Sequence, residues 1–176
     1  MSSLWHAYIG GGHATYKRDG TAYPIVSSLK LWKNSIDFTK NPKVVYGVSN
    51  DKDILITPID MKNKMTIFVV NSSSSEDKTI DIKLLNYSGD GKADITTLTH
   101  SITGEYYDKK TVASNINIEN LQKANPDAKI TKDEDDKYYI ELPKIDIYKV
   151  NSSINITDNQ ISYTFPKYSV TVIEYK

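Results

Sequence analysis

The residues most able to do chemistry are few and scattered. The histidines are His6, His13 and His100, and no pair has the i, i+4 spacing that sets two imidazoles around zinc on one helix face. No G-x-S-x-G elbow supplies a serine nucleophile. Cysteine is absent, which removes thiol catalysis, thiolate metal sites and disulfides together. Glycoside cleavage needs two carboxylates flanking the scissile bond. Here Glu141 and Glu174 fall singly on strand-like stretches, while other acids cluster in turn-like ones. Glu105, in Gly104-Glu105-Tyr106-Tyr107, has aromatic neighbours and is the best single carboxylate, although a turn carboxylate is the simpler reading.

Two further patterns imitate sites. Asn86, Ser88, Asp90, Gly91 and Asp94 resemble the odd-position oxygens of a calcium loop, but the twelfth position is Thr97 rather than a bidentate glutamate. A Gly-Asp-Gly hairpin tip is the preferred reading. Gly10-Gly11-Gly12 follows a strand-like stretch yet lacks the G-x-G-x-x-G register of dinucleotide sites, so it reads as a loop turn. Neither a metal nor another cofactor is expected.

The elements that must position these residues are legible from hydrophobic period. Leu4 to Ile9 reads as an aromatic-rich strand. Pro24 suits a first helical turn, and Ile25, Val26, Leu29, Trp32 and Ile36 follow at helical spacing on one face. Asn41-Pro42 stops that helix from running on. From Lys43 the chain reads as strands: 44–49, 54–60, 65–71, 79–86, 92–100, 138–142, 145–150, 153–157, 160–164 and 169–175. Asp60 to Lys64 is a hairpin loop. The stretches 72–77 and 88–91 read as loops between neighbouring antiparallel strands. Asn115 to Ile130 reads as a long loop, because Pro126 and the asparagines favour irregular backbone. The expected fold is mainly β, an antiparallel β-sandwich of about eight to nine strands with one N-terminal α-helix.

Composition bounds the partners. Lys plus Arg and Asp plus Glu are 22 each, so there is no basic excess to attract nucleic acid or anionic membrane. No apolar run reaches the roughly 20 residues of a membrane helix. Thirteen Tyr against three Phe suit half-exposed strands, where a ring packs inward and its hydroxyl meets water. Tyrosine also lines carbohydrate-binding faces, so a freestanding carbohydrate-binding module is the alternative reading, with a cell-surface adhesion sandwich behind it.

Two segments carry a resemblance. Ser3-Leu4-Trp5-His6-Ala7-Tyr8 looks like the eighth strand of a (β/α)8 barrel. Asp19-Gly20-Thr21-Ala22-Tyr23-Pro24 with Leu29 and Leu31 looks like the D-G-T-x-x-P-x-x-x-x-L-x-L approach to its last helix. Phe165-Pro166-Lys167-Tyr168-Ser169-Val170-Thr171-Val172-Ile173 is similar to the L-P-P-Y-S-V-T-V closing strand of an attached β-sandwich. Val69-Val70-Asn71, Ala113-Ser114-Asn115 and Asn125-Pro126 add short matches in the same order. The chain thus resembles the C-terminal end of retaining barrel-clan glycoside hydrolases of the α-L-arabinofuranosidase and β-xylosidase type.

The resemblance implies two units, residues 1–36 as the last βα unit of a barrel and residues 37–176 as the C-terminal β-sandwich. It implies that Trp5 floors a sugar subsite and is the one substrate-binding residue to carry over. The catalytic glutamates of such enzymes stand on the fourth and seventh barrel strands, so the chain alone is expected to be non-catalytic. Its implied partners are the catalytic barrel of the same polypeptide and, at its cleft, a plant polysaccharide. A secreted or cell-surface bacterial parent is the implied setting.

Overall fold

In the computed structural model the described residues are 24–62, 64–85 and 91–175, those at 24 and 25 by backbone alone. Helix α1 (Pro24–Ser35) leads through a 3-10 turn, Phe38–Lys40, into strands β1 (Lys43–Val44), β2 (Ile54–Asp60), β3 (Met65–Asn71), β4 (Lys78–Lys83) and β5 (Gly91–Tyr106). Then come β6 (Lys110–Thr111), helix α2 (Ile118–Ala124), β7 (Lys129–Lys132), β8 (Tyr138–Glu141), β9 (Pro143–Ile156), β10 (Gln160–Phe165) and β11 (Ser169–Tyr175). All the pairings are antiparallel. The fold is a mainly-β sandwich, as the periodicity predicts.

One layer has six strands in the order β1-β2-β3-β11-β5-β9, the other has β10 and β4, and β6-β8-β7 form a small third sheet. The centre of the large layer, β3 and β11, is buried on both faces. Ile67, Val69, Ile95, Ile173 and Tyr175 pack inward against Ile82, Leu84, Ile161 and Phe165. Phe68, Val172, Ile59 and Met61 pack the other way, onto Leu31 with Trp32 and Ile36 of and just after α1. This explains why 65–71 and 169–175 read as nearly continuous apolar runs rather than clean alternations. The Trp32 and Phe68 rings stack with centroids 4.3 Å apart. Inside the sandwich, Thr97 shares hydrogen bonds with the Thr171 hydroxyl at 3.0 Å and the Tyr163 hydroxyl at 3.1 Å, which satisfies polar groups sealed from water.

Several expectations need correction. The helix face is rotated: Leu31 is buried, while Leu29 is 37% exposed. α1 also stops at Ser35, before Asn41; Asp37 then caps the 3-10 turn by accepting from Thr39 N at 3.0 Å. The expected strand 44–49 shrinks to β1, because the residue opposite Val45 is Pro58, which accepts from Val45 N but has no N–H to return. The strands read at 145–150 and 153–157 are one, since 151–153 pair with Asp94, Ile95 and Thr96 and the Thr96 hydroxyl bonds Asn151 Oδ1 at 3.1 Å.

Residues 115–130 are not a long loop. Asn117 N-caps α2 by accepting from Asn120 N at 2.9 Å, and Asn125 closes it by donating to Leu121 O at 3.0 Å. The asparagines that suggest irregular backbone are the helix caps. The stretches 72–77 and 88–91 do not join sheet neighbours either: β3 and β5 lie in the large layer and β4 in the small one. The hairpin at 60–64 joins β2 and β3 as expected.

Candidate functional site

β5 and β9 form a ladder that outruns the rest of the sandwich. It pairs without interruption from Gly91–Ile156 to Ile102–Ile145 and then slips, with Gly104 at φ +84°, before Tyr106 meets Pro143. The ladder's far end carries the three-stranded sheet and α2. Period 2 on these strands sends Leu98, His100 and Ile102 of β5, and Ile145 and Ile147 of β9, to the face on which α1 lies. α1 packs on the β2, β3 and β11 part of that face.

The uncovered part is a groove of about 320 Å³ beside α1. Leu98, Ile102, Ile145, Ile147 and Val170 floor it, Ser28 of α1 walls one side, and the turn at Pro126 after α2 walls the other. Its floor is apolar yet open: Ile102, Ile145 and Ile147 are 38–43% exposed. Tyr168 stands at the rim with φ +48°, a backbone region costly for a tyrosine, held by its N–H donating to Ser73 O at 3.1 Å. His100 lies against it, ring centroids 6.1 Å apart. The floor is a contiguous apolar surface, and its walls add the polar side chains of Ser28, His100, Asn125, Asp127 and Tyr168.

Several carboxylates hold local hydrogen bonds and ion pairs. Glu105 is exposed and accepts from Lys144 Nζ at 2.9 Å, a bond that raises the lysine's pKa. Glu174 of β11 pairs with Lys64, just before β3, at the ends of two central strands. Lys78 sits among Glu76 at 3.0 Å, Asp51 at 3.4 Å and Asp53 at 3.6 Å, and its pKa is raised chiefly by the bond to Glu76. Asp133 accepts from Lys137 N at 2.9 Å, the Tyr139 hydroxyl at 2.8 Å and Asp135 N at 3.0 Å, so its carboxyl is held below the usual carboxylate range, first by the Lys137 amide. These acids orient turns and strand ends. Among the described residues no group of three metal-ligating side chains converges.

The calcium-like pattern divides. Gly91, Asp94 and Thr97 lie along β5, with Thr97 inside the sandwich, so this half is strand rather than binding loop. Asn86, Ser88 and Asp90 lie outside the described residues, as do Trp5, His6, His13 and Gly10 to Gly12. Tyr106, Tyr138 and Tyr139 are not a bare aromatic platform, since Lys129, Lys132 and Lys109 sit over their rings at 3.8, 5.4 and 4.2 Å. Sequence reasoning missed the groove. Its only signal was the pair Ile145 and Ile147, apolar on alternate positions of a strand that turned out to lie at a sheet edge.

A two-layer β-sandwich with a helix laid on its outer face is the class of fold these observations define. Among solved structures it is similar to the GH30 endoxylanase from Clostridium papyrosolvens C71, with a TM-score of 0.54 and 13% identity over 95% of this chain and 31% of that one. The α-L-arabinofuranosidase from Thermotoga maritima in complex with arabinose overlays with a TM-score of 0.38 and 20% identity over 74% of this chain and 20% of that one. The GH51 α-L-arabinofuranosidase from Thermotoga petrophila RKU-1 gives 0.38 and 16% over 74% and 21%. The chain spans about a third of the endoxylanase's length, in its C-terminal portion. Its fold is therefore that of the C-terminal part of a glycoside hydrolase, as the resemblance implies. No family model matches the sequence, and no curated protein matches it.

Proposed function

We propose that the chain is the non-catalytic C-terminal part of a larger glycoside hydrolase acting on plant polysaccharide, and that its sandwich braces the catalytic barrel. The observation that carries this reading is the face shared by α1 and the groove. α1 presents Leu31 and Trp32 to the sandwich while Leu29 remains exposed on another side, as a helix between two bodies requires. The exposed aliphatic floor next to it continues the same surface. Residues 1–36 are then the last βα unit of the barrel and residues 37–176 the sandwich. Trp5 borders the sugar cleft, at the C-terminal end of a barrel strand where such sites lie.

The reading is tested by assaying the purified chain on aryl xylosides, aryl arabinofuranosides and xylan beside the longer polypeptide that carries the barrel. The expected result is no turnover above the uncatalysed rate by the chain and retaining hydrolysis by the longer protein. Turnover by the chain alone that titrates with enzyme and is lost on unfolding contradicts it. Affinity electrophoresis in xylan, arabinan and cellulose gels separates the binding-module alternative, because a bracing domain migrates unretarded.

A further inference from the structure

The slip in the β5–β9 ladder separates the sandwich from everything beyond it. Regular pairing ends at Ile102–Ile145 and resumes at Tyr106–Pro143, so Thr103, Gly104 and Glu105 of β5 oppose Lys144 alone. A bulge of this kind bends its strand. Gly104 takes φ +84° there, and a Cβ added to it would meet no heavy atom within 4 Å. Side-chain bonds span the joint: the Thr103 hydroxyl donates to Lys144 O at 3.2 Å and accepts from Glu105 N at 3.3 Å. Pro143 has no N–H to return to Tyr106. Residues 101–105 are all exposed, so neither face of the joint is covered.

Beyond the joint, residues 107–142 hold together without a sealed core. Every one of them is exposed or half-buried, and α2 buries none of its residues. Directional bonds knit the unit instead. Val112 N donates to Tyr138 O at 2.8 Å beside the β6-β8-β7 ladders, and the Tyr139 hydroxyl donates to Asp133. Gln122 Nε2 donates to Asn125 O at 3.2 Å, which ties α2 to the turn that follows it. The unit is thus stiff within and joined softly to the sandwich. Regions with few buried apolar contacts open at lower free energy than the core.

An ion pair reaches from this unit back to the sandwich at the groove. Lys167 Nζ lies 3.3 Å from Asp127 Oδ2, in the turn after α2 that walls the groove, and the two side chains are 30% and 33% exposed. The Lys167 end is fixed: its N–H donates to Asp77 Oδ1 at 2.8 Å, and the next N–H, of Tyr168, donates to Ser73 O. We propose that residues 107–142 form a lid over the groove that swings as a unit on the joint at Gly104, and that the Lys167–Asp127 pair latches it closed. Closed, the lid leaves the space of about 320 Å³. Open, it lets Ile102, Ile145 and Ile147 meet a body too broad for that space. A half-exposed pair suits a latch, because it favours the closed form by a factor of only about two to five. The device belongs to residues 91–175 themselves and does not depend on a barrel lying on this face.

Distances between paired spin labels test this in the chain 1–176, at positions that are all exposed. Lys33→Cys on α1 with Glu119→Cys on α2 spans the groove. Glu119→Cys with Asp135→Cys reports on the lid alone, and Lys33→Cys with Ser75→Cys on the sandwich alone. The expected result is two populations across the groove and a single one for each control pair. Lys167→Ala raises the longer-distance population about two- to fivefold. High salt does the same where Lys167 is present and adds nothing in Lys167→Ala, because it screens the same pair. A single distance across the groove, as narrow as in the controls and unmoved by Lys167→Ala, overturns the lid. A second population within the lid pair shows that the unit unfolds instead of swinging, and overturns it too. Two populations across the groove that respond to neither Lys167→Ala nor salt overturn the latch.

Discussion

Phe68→Ala lowers the free energy of unfolding by about 3–5 kcal/mol, the cost of a phenyl removed from a core that cannot close over the gap. Phe68 is 1% exposed and stacks on Trp32, so it holds α1 to the sandwich as well as filling the outer core. A domain of this size is stable by about 5–15 kcal/mol, so the variant sits near the edge of folding. Urea denaturation of Phe68→Ala and of the milder Phe68→Leu measures the effect. A Trp32→Ala and Phe68→Ala double-mutant cycle should show a coupling of about 0.5–1.5 kcal/mol from the ring stack. Additive single effects would mean that α1 is not seated on the sheet as described.

Asn71→Ala carries the second large effect, about 2–4 kcal/mol, from hydrogen-bonding groups left unsatisfied in a sealed site. Asn71 is 1% exposed at the end of β3. Its amide donates to Phe165 O at 2.9 Å and Glu76 O at 3.1 Å, and its carbonyl accepts from Ser73 N at 3.0 Å. Phe165 belongs to β10, so one side chain ties the end of the large layer to the small one and to the connection between them. Asn71→Asp separates donor from acceptor loss. It keeps the bond from Ser73 but turns a carboxylate toward two carbonyl oxygens, which raises that carboxyl's pKa in the folded state. The variant should then be least damaging below about pH 3.9, where the unfolded carboxyl is also protonated, and lose stability as pH rises through the raised folded value. Equal stability of wild type and Asn71→Ala in urea would contradict the tie.

The strands packed on both sides were the most legible part of the chain. 65–71 and 169–175 combine β-branched and aromatic residues with sharp turn chemistry at each end, and their boundaries match the structure residue for residue. Where local chemistry serves a non-local end, the reading failed. Asn117 and Asn125 look like loop residues until they are seen to cap α2. Pro58 shortens a strand well upstream of it because it has no N–H to return to Val45, which no local pattern around 44–49 encodes. Strand order was illegible for the same reason: loops 72–77 and 88–91 contain ordinary turn residues, and nothing in them tells a hairpin from a crossing between layers.

The groove shows the limit most clearly. Ile145 and Ile147 obey the alternation of any half-buried strand, so the sequence marks them as covered without saying by what. The structure leaves them open beside α1. Buried-face patterning with no partner among the described residues is the physical reason for placing the barrel there.

That placement is tested most directly by thiol accessibility, which this chain allows without background because it has no cysteine. Ile147→Cys, with Ser75→Cys in an exposed turn as the control, is treated with a maleimide in the chain 1–176 and in the longer polypeptide that bears the barrel. Rapid modification is expected at both positions in the chain, with modification at position 147 slowed at least about tenfold in the longer protein while position 75 is unchanged. Equal reactivity of position 147 in both proteins would show that the barrel does not cover this face, and would contradict the bracing role.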